Sequence, residues 1–366
     1  MPDVSPTPSE RTEPDVAARL DLFALDLPGL RALLTGLGEP AFRAAQLHKW
    51  IHERHAPSFS AMTDLPASLR TKLEAGFRLG TLAIAHEQRS QDGTQKRLYR
   101  LPDGQLIESV LMPYQDGRRT ACISSQAGCA MGCTFCATGQ MGFARHLTAA
   151  EIVEQAWRFD QELKAKGERL SNVVLMGMGE PFHNFEPVVE AIHRLNKEIG
   201  IGARHITVST VGLVPQIDRF AALGLQVKLA ISLHSTQDDE RSEMMPVNRR
   251  WPIAELIAAC HRYVEQTGRR ISFEWALIAG KNDGVDEAER LGRLLRGLFC
   301  HVNLIPLNPT GGYAGAPSDP ATAAAFVATL ERHGVPATVR VRRGIDIDAG
   351  CGQLKSELLR RLRASG

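Results

Sequence analysis

From residue 121 onward, short apolar runs alternate with longer stretches in which apolar residues return every third or fourth position. The runs lie at 121–124, 173–176, 206–209, 227–233, 271–277 and 302–306. Helical spacing fills the intervals, most clearly at 149–157, 187–197 and 253–264. Runs too short for helices, separated by segments of helix length, predict parallel strands joined by crossover helices. Six such units are too few to close an eight-unit barrel. The expected α/β architecture is therefore a partial (βα)6 barrel or a doubly wound sheet.

The earlier part of the chain has a different rhythm. Residues 1–15 are rich in Pro, Ser and Glu and read as a disordered tail. From 21 to 77 the apolar positions keep helical spacing, through Leu30, Leu33 and Leu34 and then Phe42, Leu47, Trp50 and Ile51. Asp64-Leu65-Pro66 reads as a stop and restart, with proline at a helix start before Leu69 and Leu73. Strand patterns follow at 97–101 and 105–112, joined by the turn Pro102-Asp103-Gly104. Glu108 shares a strand face with Leu106 and Val110, an awkward place for a charge that has no use. These shifts divide the chain into a tail (1–15), a helical domain (16–80), a hairpin linker or extension (81–118), the partial barrel (119–345) and a C-terminal segment (346–366).

The 366 residues carry a formal net charge of only +2 and enough apolar content for a large core. Such a balance does not mark a nucleic-acid binder, nor does it oppose local basic patches. The start has no apolar core of a secretory signal, and no run is long enough to span a bilayer. A cytoplasmic location without membrane contact is expected. There, an odd set of seven cysteines points to ligands or catalysts rather than disulfide staples.

Three of those cysteines stand together in Cys129-Ala-Met-Gly-Cys133-Thr-Phe-Cys136. Three thiolates at such spacing suit three corners of an iron–sulfur cube, leaving one iron open to a substrate. A zinc knuckle, with Cys122 or His146 as fourth ligand, is the alternative. The triplet follows the first strand of the alternating region, where ligands gather at strand carboxyl ends. The next strand ends in Met176-Gly177-Met178-Gly179-Glu180-Pro181, whose glycines allow close backbone approach and whose Glu180 can accept from an ammonium group. Later strand ends are polar as well, at Ser209-Thr210, Ser232-Leu233-His234-Ser235 and Asn308. Their joint placement suits a polar molecule bound across one rim.

Cys351 is flanked by Gly350 and Gly352, a setting better suited to reaching a partner than to packing. Cys260 and Cys300 follow apolar stretches and read as small buried hydrophobes. Arginine pairs recur along the chain. The strip Arg340, Arg342, Arg343, just before Cys351, is the best candidate for steering phosphates.

Together these motifs resemble a known family. Cys129-x-x-x-Cys133-x-x-Cys136, with an aromatic before the last cysteine, is similar to the radical S-adenosylmethionine (SAM) signature. The surrounding Ser124-Ser125-Gln126-Ala127-Gly128, the Met176–Pro181 hexapeptide, Ser232-Leu233-His234, Met245-Pro246-Val247-Asn248 and Gly350-Cys351-Gly352-Gln353-Leu354 resemble the RlmN family, as does Gly38-Glu39-Pro40-Ala41-Phe42-Arg43-Ala44 near the start. The likeness runs from about residue 22 to 363. Two departures are small: the family often has Ala where this chain has Gly350, and Ala where it has Ser235.

The resemblance implies a radical SAM methyltransferase acting on C2 of adenosine, in the peptidyl-transferase centre of 23S rRNA and 3′ of the anticodon in tRNA. Adenine C2 is no nucleophile, so an electrophilic methyl alone cannot be transferred to it; the cofactor must carry the hard step. The resemblance implies one [4Fe-4S] cluster on Cys129, Cys133 and Cys136. Two SAM are consumed per methylation, with SAM contacts at Gly179, Glu180, Ser209, Ser232, Leu233, His234 and Asn308. It makes Cys351 the thiol that carries the methyl group and Cys122 its partner in a transient disulfide. Glu108 is the implied proton acceptor. The helical domain becomes an RNA-binding accessory, the electron donor a flavodoxin-type protein, and the enzyme a monomer. A Cfr-like enzyme that methylates C8 of the same rRNA adenosine, and a zinc-stabilised RNA-binding module without catalysis, are the competing readings.

Overall fold

The computed structural model describes residues 19–354. The expected tail at 1–15, and the C-terminal segment beyond residue 354, lie outside the described residues. The chain divides into two compact units at Leu82/Ala83.

The first unit is helical. Asp26 caps α1 (Leu27–Gly36) by accepting from the Gly29 amide at 2.8 Å, with Pro28 in the first turn. α2 spans Arg43–His52, and α3 (Ala67–Gly76) starts directly after Pro66, where the sequence predicts a restart. Leu30, Leu34, Leu47, Ile51, Leu69 and Leu73 are all buried, so the helical spacing reports the inward face of each helix, and α1 packs on α2. Asp21 accepts from Phe23 and Gly80 amides, tying the start of the unit to its end.

The second unit is built on one ten-stranded sheet. Its strands are β1 (Ala83–Arg89), β2 (Gln95–Arg100), β3 (Leu106–Pro113), β4 (Arg119–Cys122), β5 (Asn172–Leu175), β6 (Ile206–Thr210), β7 (Lys228–Ser232), β8 (Ile271–Leu277), β9 (Cys300–Pro306) and β10 (Ala337–Val339). Spatial order follows chain order throughout. β1 to β4 are antiparallel neighbours, and β4 to β10 are parallel. Parallel neighbours need crossovers, which α4 (Ala149–Ala165), α5 (Phe185–Lys197), α6 (Val214–Ala222), α7 (Asp238–Met244), α8 (Ile253–Thr267), α9 (Val285–Leu294) and α10 (Pro320–Arg332) supply. α4 packs on α5, α6 on α8, and α9 on α10. This is the partial-barrel solution rather than the doubly wound one. The hairpin continues the barrel sheet through β3 and β4, with Val110 opposite Cys122.

Within this sheet, two strands carry no sequence signature. β1 is a largely exposed edge strand whose residues, Ala83-Ile84-Ala85-His86-Glu87-Gln88-Arg89, carry no clean alternation. β10 is three residues long and exposed at two of them. Neither buries enough apolar surface to leave a signature.

Candidate active site

All seven parallel strands point their carboxyl ends to one rim, and the loops there are fastened to one another. After β4 the chain passes Ser124, whose amide and carbonyl are both bonded by Gln155 of α4, at 2.8 and 2.9 Å. Ser124 Oγ donates to the Glu108 carbonyl and accepts from the Met178 amide. Gln126 Oε1 accepts from the Glu180 amide at 2.8 Å. Asn184 Nδ2 donates to the carbonyls of Ser125 and Leu147. The glycines after β5 make this possible. A Cβ on Gly177 would stand 2.7 Å from the Ile123 carbonyl, and one on Gly179, at φ +103°, would stand 2.6 Å from Gln126 Cβ. The close approach they permit is first of all to the neighbouring loop.

The cysteine loop hangs from a small ribbon that pairs Gln126–Gly128 with Phe143–His146. Cys133 is buried against Met244, Met245, Ile278 and Leu307, while Cys129 and Cys136 are half-buried. The Thr134 amide donates to Met244 O, and the Ala137 amide to Gly352 O. Burial pushes the Cys129 thiol up to about 12 and Cys133 well above its ordinary value, with the sulfurs of the other cysteines adding to the effect. Thiolates are therefore costly here without a soft cation to neutralise them, which an iron–sulfur cube provides. Among the described residues, the three thiols are not gathered within 4.8 Å of one another. Sulfurs around a single tetrahedral zinc, bound at about 2.3 Å, would be only about 3.8 Å apart. Neither proposed fourth zinc ligand joins them. His146 Nδ1 is hydrogen-bonded with Gln126 Nε2 and its ring lies against His183. Cys122 lines a different cavity. The donor set fits a cube with three protein ligands.

Cys133 and Cys136 open onto a cavity of about 890 Å³, its mouth included, at the strand carboxyl ends. Six of the expected SAM contacts line it: Gly179, Glu180, Ser209, Ser232, His234 and Asn308. Leu233 does not; it is wholly buried, its amide donates to Glu274 O and its carbonyl accepts from Arg241. Glu180 Oε2 accepts from the Val211 amide and Oε1 from the Phe182 amide, both at 2.9 Å. Burial nevertheless raises its carboxyl to about 7, so an incoming ammonium would complete its neutralisation. His234 holds a left-handed backbone at φ 62°. Its Nδ1 accepts from the Ala276 amide at 2.9 Å, which leaves the proton on Nε2. Burial, reinforced by Arg241, pushes this histidine down to about 3, so it stays neutral. Its ring meets the edge of Phe135 at 4.9 Å.

Arg241 was not legible as a site residue. It is wholly buried and donates to the carbonyls of Leu233, Val211 and Ser232 and to Asn248 Oδ1. One guanidinium thereby joins the ends of β6 and β7. The surrounding Asp-, Glu- and Ser-rich stretch reads as an exposed helix, so nothing in the chain marks this arginine.

A second cavity is lined by Cys122, Met112, Met176, Asn308, Arg340 and Cys351. Cys351 lines both cavities. All seven cysteines are free thiols, so no resting disulfide joins Cys122 to Cys351. Cys351 is exposed as a residue, yet the crowding around its sulfur raises its pKa, against the opposing pull of Arg340. Burial, and after it Cys351, push the Cys122 thiol up to about 12. Arg340 thus stands beside the two thiols, and Arg342 and Arg343 of the same strip line that cavity with it. Glu108 is buried on β3, with its amide directed to Met178 Sδ. Among the described residues it lines neither cavity, although Met112, on the same strand face, lines the second. Cys260 and Cys300 are buried in the core, as expected.

Residues 20–79 match the family described as the ribosomal RNA large subunit methyltransferase N-terminal domain, and residues 123–291 match the radical SAM superfamily. The chain is 53% identical over 348 residues to the dual-specificity RNA methyltransferase RlmN 1 of Myxococcus xanthus, covering 94% of this chain and 97% of that one. It is 48% identical over 350 residues to the probable dual-specificity RNA methyltransferase RlmN of Moorella thermoacetica, covering 93% and 98%. Among solved structures, a radical SAM methyltransferase from Sphaerobacter thermophilus aligns with a TM-score of 0.89 at 50% identity, covering 92% of this chain and 100% of the other.

Proposed function

The chain belongs to the RlmN family of radical SAM dual-specificity RNA methyltransferases, and we propose that it methylates C2 of adenosine in 23S rRNA and in tRNA. Cys129, Cys133 and Cys136 would hold a [4Fe-4S] cluster. Gly179, Glu180, Ser209, Ser232, His234 and Asn308 would hold SAM, with the Glu180 carboxylate on its ammonium and Leu233 acting through the backbone. Bound there, cluster and SAM supply the one-electron chemistry that makes an inert methyl group able to bond carbon.

The observation that carries the reading is the position of Cys351, on the wall shared by the cysteine-loop cavity and the Cys122 cavity. As thiolate, Cys351 displaces S-adenosylhomocysteine from SAM and keeps the methyl group as a thioether. Facing the SAM cavity, it presents that carbon for activation. Facing the other cavity, it lies beside Cys122. Once that carbon is bonded to adenine C2, the Cys122 thiolate would attack the Cys351 sulfur, so that the disulfide forms as the sulfur–carbon bond breaks. The carbon, leaving with the electron pair into the adenine, takes a proton to become the methyl group of the RNA product. Glu108 takes the C2 proton; its buried carboxylate needs the loops after β4 and β5 to give way, or the base to enter past Met112. The helical unit serves as an RNA-binding accessory, and a flavodoxin-type protein supplies electrons to a monomeric enzyme. No helix among the described residues is long and apolar enough to cross a membrane.

Anaerobic turnover with methyl-deuterated SAM and 23S rRNA or tRNA fragments tests this. Mass spectrometry of digested RNA should find the label on C2. Label on C8 would move the chain to the Cfr-like chemistry, and colourless protein with stoichiometric zinc would remove the radical route altogether.

A further inference from the structure

The parallel strands have a second end. Arg118 precedes β4, Arg204 precedes β6, Lys228 opens β7, and Arg269 and Arg270 precede β8. All five line one open cavity of about 1400 Å³, together with Arg340. Glu274 is the one acid lining it among the described residues, and it is already engaged by Asn303 and Ser272. Arg118 pairs with exposed Asp116, and Arg269 donates to Gln226 and to the Val227 carbonyl. Burial, and then the guanidiniums of Arg270, Arg118 and Arg269, push the Lys228 pKa down. These cations face one another with too little negative charge among them.

The cavity is not a separate hollow. Val174, Met176 and Arg340 line it and also line the Cys122–Cys351 cavity. From Lys228 to Ser232 is four residues of strand, so the basic mouth lies about 13 Å below the SAM rim. From β4 to β8 is four strand spacings, about 19 Å along the curved edge. That span exceeds one phosphate and suits several successive ones.

We propose that this amino-terminal mouth of the barrel is the RNA entrance: Arg118, Arg204, Lys228, Arg269 and Arg270 hold backbone phosphates, and the target nucleotide passes up between Val174, Met176 and Arg340 to the two thiols. This rests on the RNA-methyltransferase reading and adds the route and the phosphate contacts. An acidic protein electron donor also fits a basic surface. The observations favour RNA, because the mouth leads to Cys122 and Cys351, while the cysteine loop that a donor must approach stands at the opposite end. A base that leaves its stack and enters a protein needs its flanking phosphates held.

The test uses the full-length protein and an unmodified, fluorescein-labelled tRNA transcript, with affinity measured by anisotropy across a salt series. Arg204→Ala/Lys228→Ala/Arg270→Ala is compared with wild type and with Arg262→Ala/Arg293→Ala/Arg296→Ala, an equal charge loss on the outer helical layer. Methyl loading of Cys351, read by intact mass in the same samples, reports that fold and cofactor site are intact. Should the alanine variant fold poorly, Lys228→Gln and Arg270→Gln are read singly. The mouth variant should bind tRNA about tenfold or more weakly, and the slope of log affinity against log salt should shrink by about 2, one phosphate contact per cation removed. Binding equal to wild type, or a loss no greater than that of the outer-layer control, overturns the proposal. So does unchanged tRNA binding with slower cluster reduction by a flavodoxin-type donor, which would give the mouth to that protein. Failure of the C2 reading would appear separately, in wild-type turnover, while tRNA binding at the mouth stays measurable.

Discussion

Asn308 Nδ2 donates to the backbone carbonyl of Cys351 at 3.1 Å, so a residue just past the end of β9 holds the loop that carries the proposed methyl acceptor. A Cβ on Gly350 would stand 2.6 Å from that same nitrogen; glycine leaves room for the amide. Loss of one such hydrogen bond costs about 0.5–1.5 kcal/mol. Asn308→Ala is therefore expected to slow methyl loading of Cys351 about two- to tenfold, followed by intact-protein mass spectrometry. Asn308→Asp should be worse, since a carboxylate would face a carbonyl. Loading at the wild-type rate in both variants would dissociate Asn308 from the loop.

The two thiols predict opposite failures. Cys351→Ala should abolish methyl transfer to protein and to RNA alike. Cys122→Ala should load Cys351 normally and then stall as a covalent protein–RNA adduct, visible as a shifted band on a denaturing gel. Free methylated RNA released at the normal rate by Cys122→Ala would refute the resolving role.

Arg241 is a test of buried polar architecture. Its guanidinium serves four acceptors around the ends of β6 and β7. Arg241→Met leaves them without that donor, at a cost of about 3–5 kcal/mol after relaxation. Urea unfolding measures this. Arg241→Lys should recover little, because one ammonium cannot reproduce the fork. A loss below about 1 kcal/mol in the Met variant would mean that water or a rearranged loop replaces the arginine.

Asp92, in the turn between β1 and β2, clasps the segment that leads to Cys351. It accepts from the Thr94 amide at 2.9 Å and from the Gly344 amide at 3.0 Å. Burial alone would raise its pKa, but bonds from Thr94, Gly344 and Ser90 outweigh it and hold the carboxyl at about 2. A depressed carboxylate stabilises the fold fully above its unfolded value of 3.8, and that contribution is lost as pH falls through about 2. Asp92→Asn should remove this acid-dependent part. It should also speed amide exchange at Gly344 and Ala349 near neutral pH, where hydrogen-exchange mass spectrometry reads the Gly344–Cys351 loop. Exchange and acid sensitivity equal to wild type would leave the clasp without effect.

The rhythm of short apolar runs and helical intervals already determines a parallel sheet with crossover helices, because strands buried on both faces must be apolar and crossovers must be long. It fits a partial barrel and a doubly wound sheet equally, and the tertiary structure chose the barrel, with strands in chain order. Cysteine spacing and glycine-flanked Cys351 likewise carry their expected chemistry locally, since the three proposed cluster ligands, Cys129, Cys133 and Cys136, come from one loop. Tertiary structure alone decided the rest. Edge strands β1 and β10 bury little and so leave no pattern, and Arg241 sits in an ordinary polar stretch until distant carbonyls converge on it. The cations at Arg118, Arg204, Lys228 and Arg270 are scattered along the sequence and meet only because the strands they precede run side by side. Hydrophobic periodicity is written residue by residue, whereas the partners of a buried charge are chosen by the fold, many residues away.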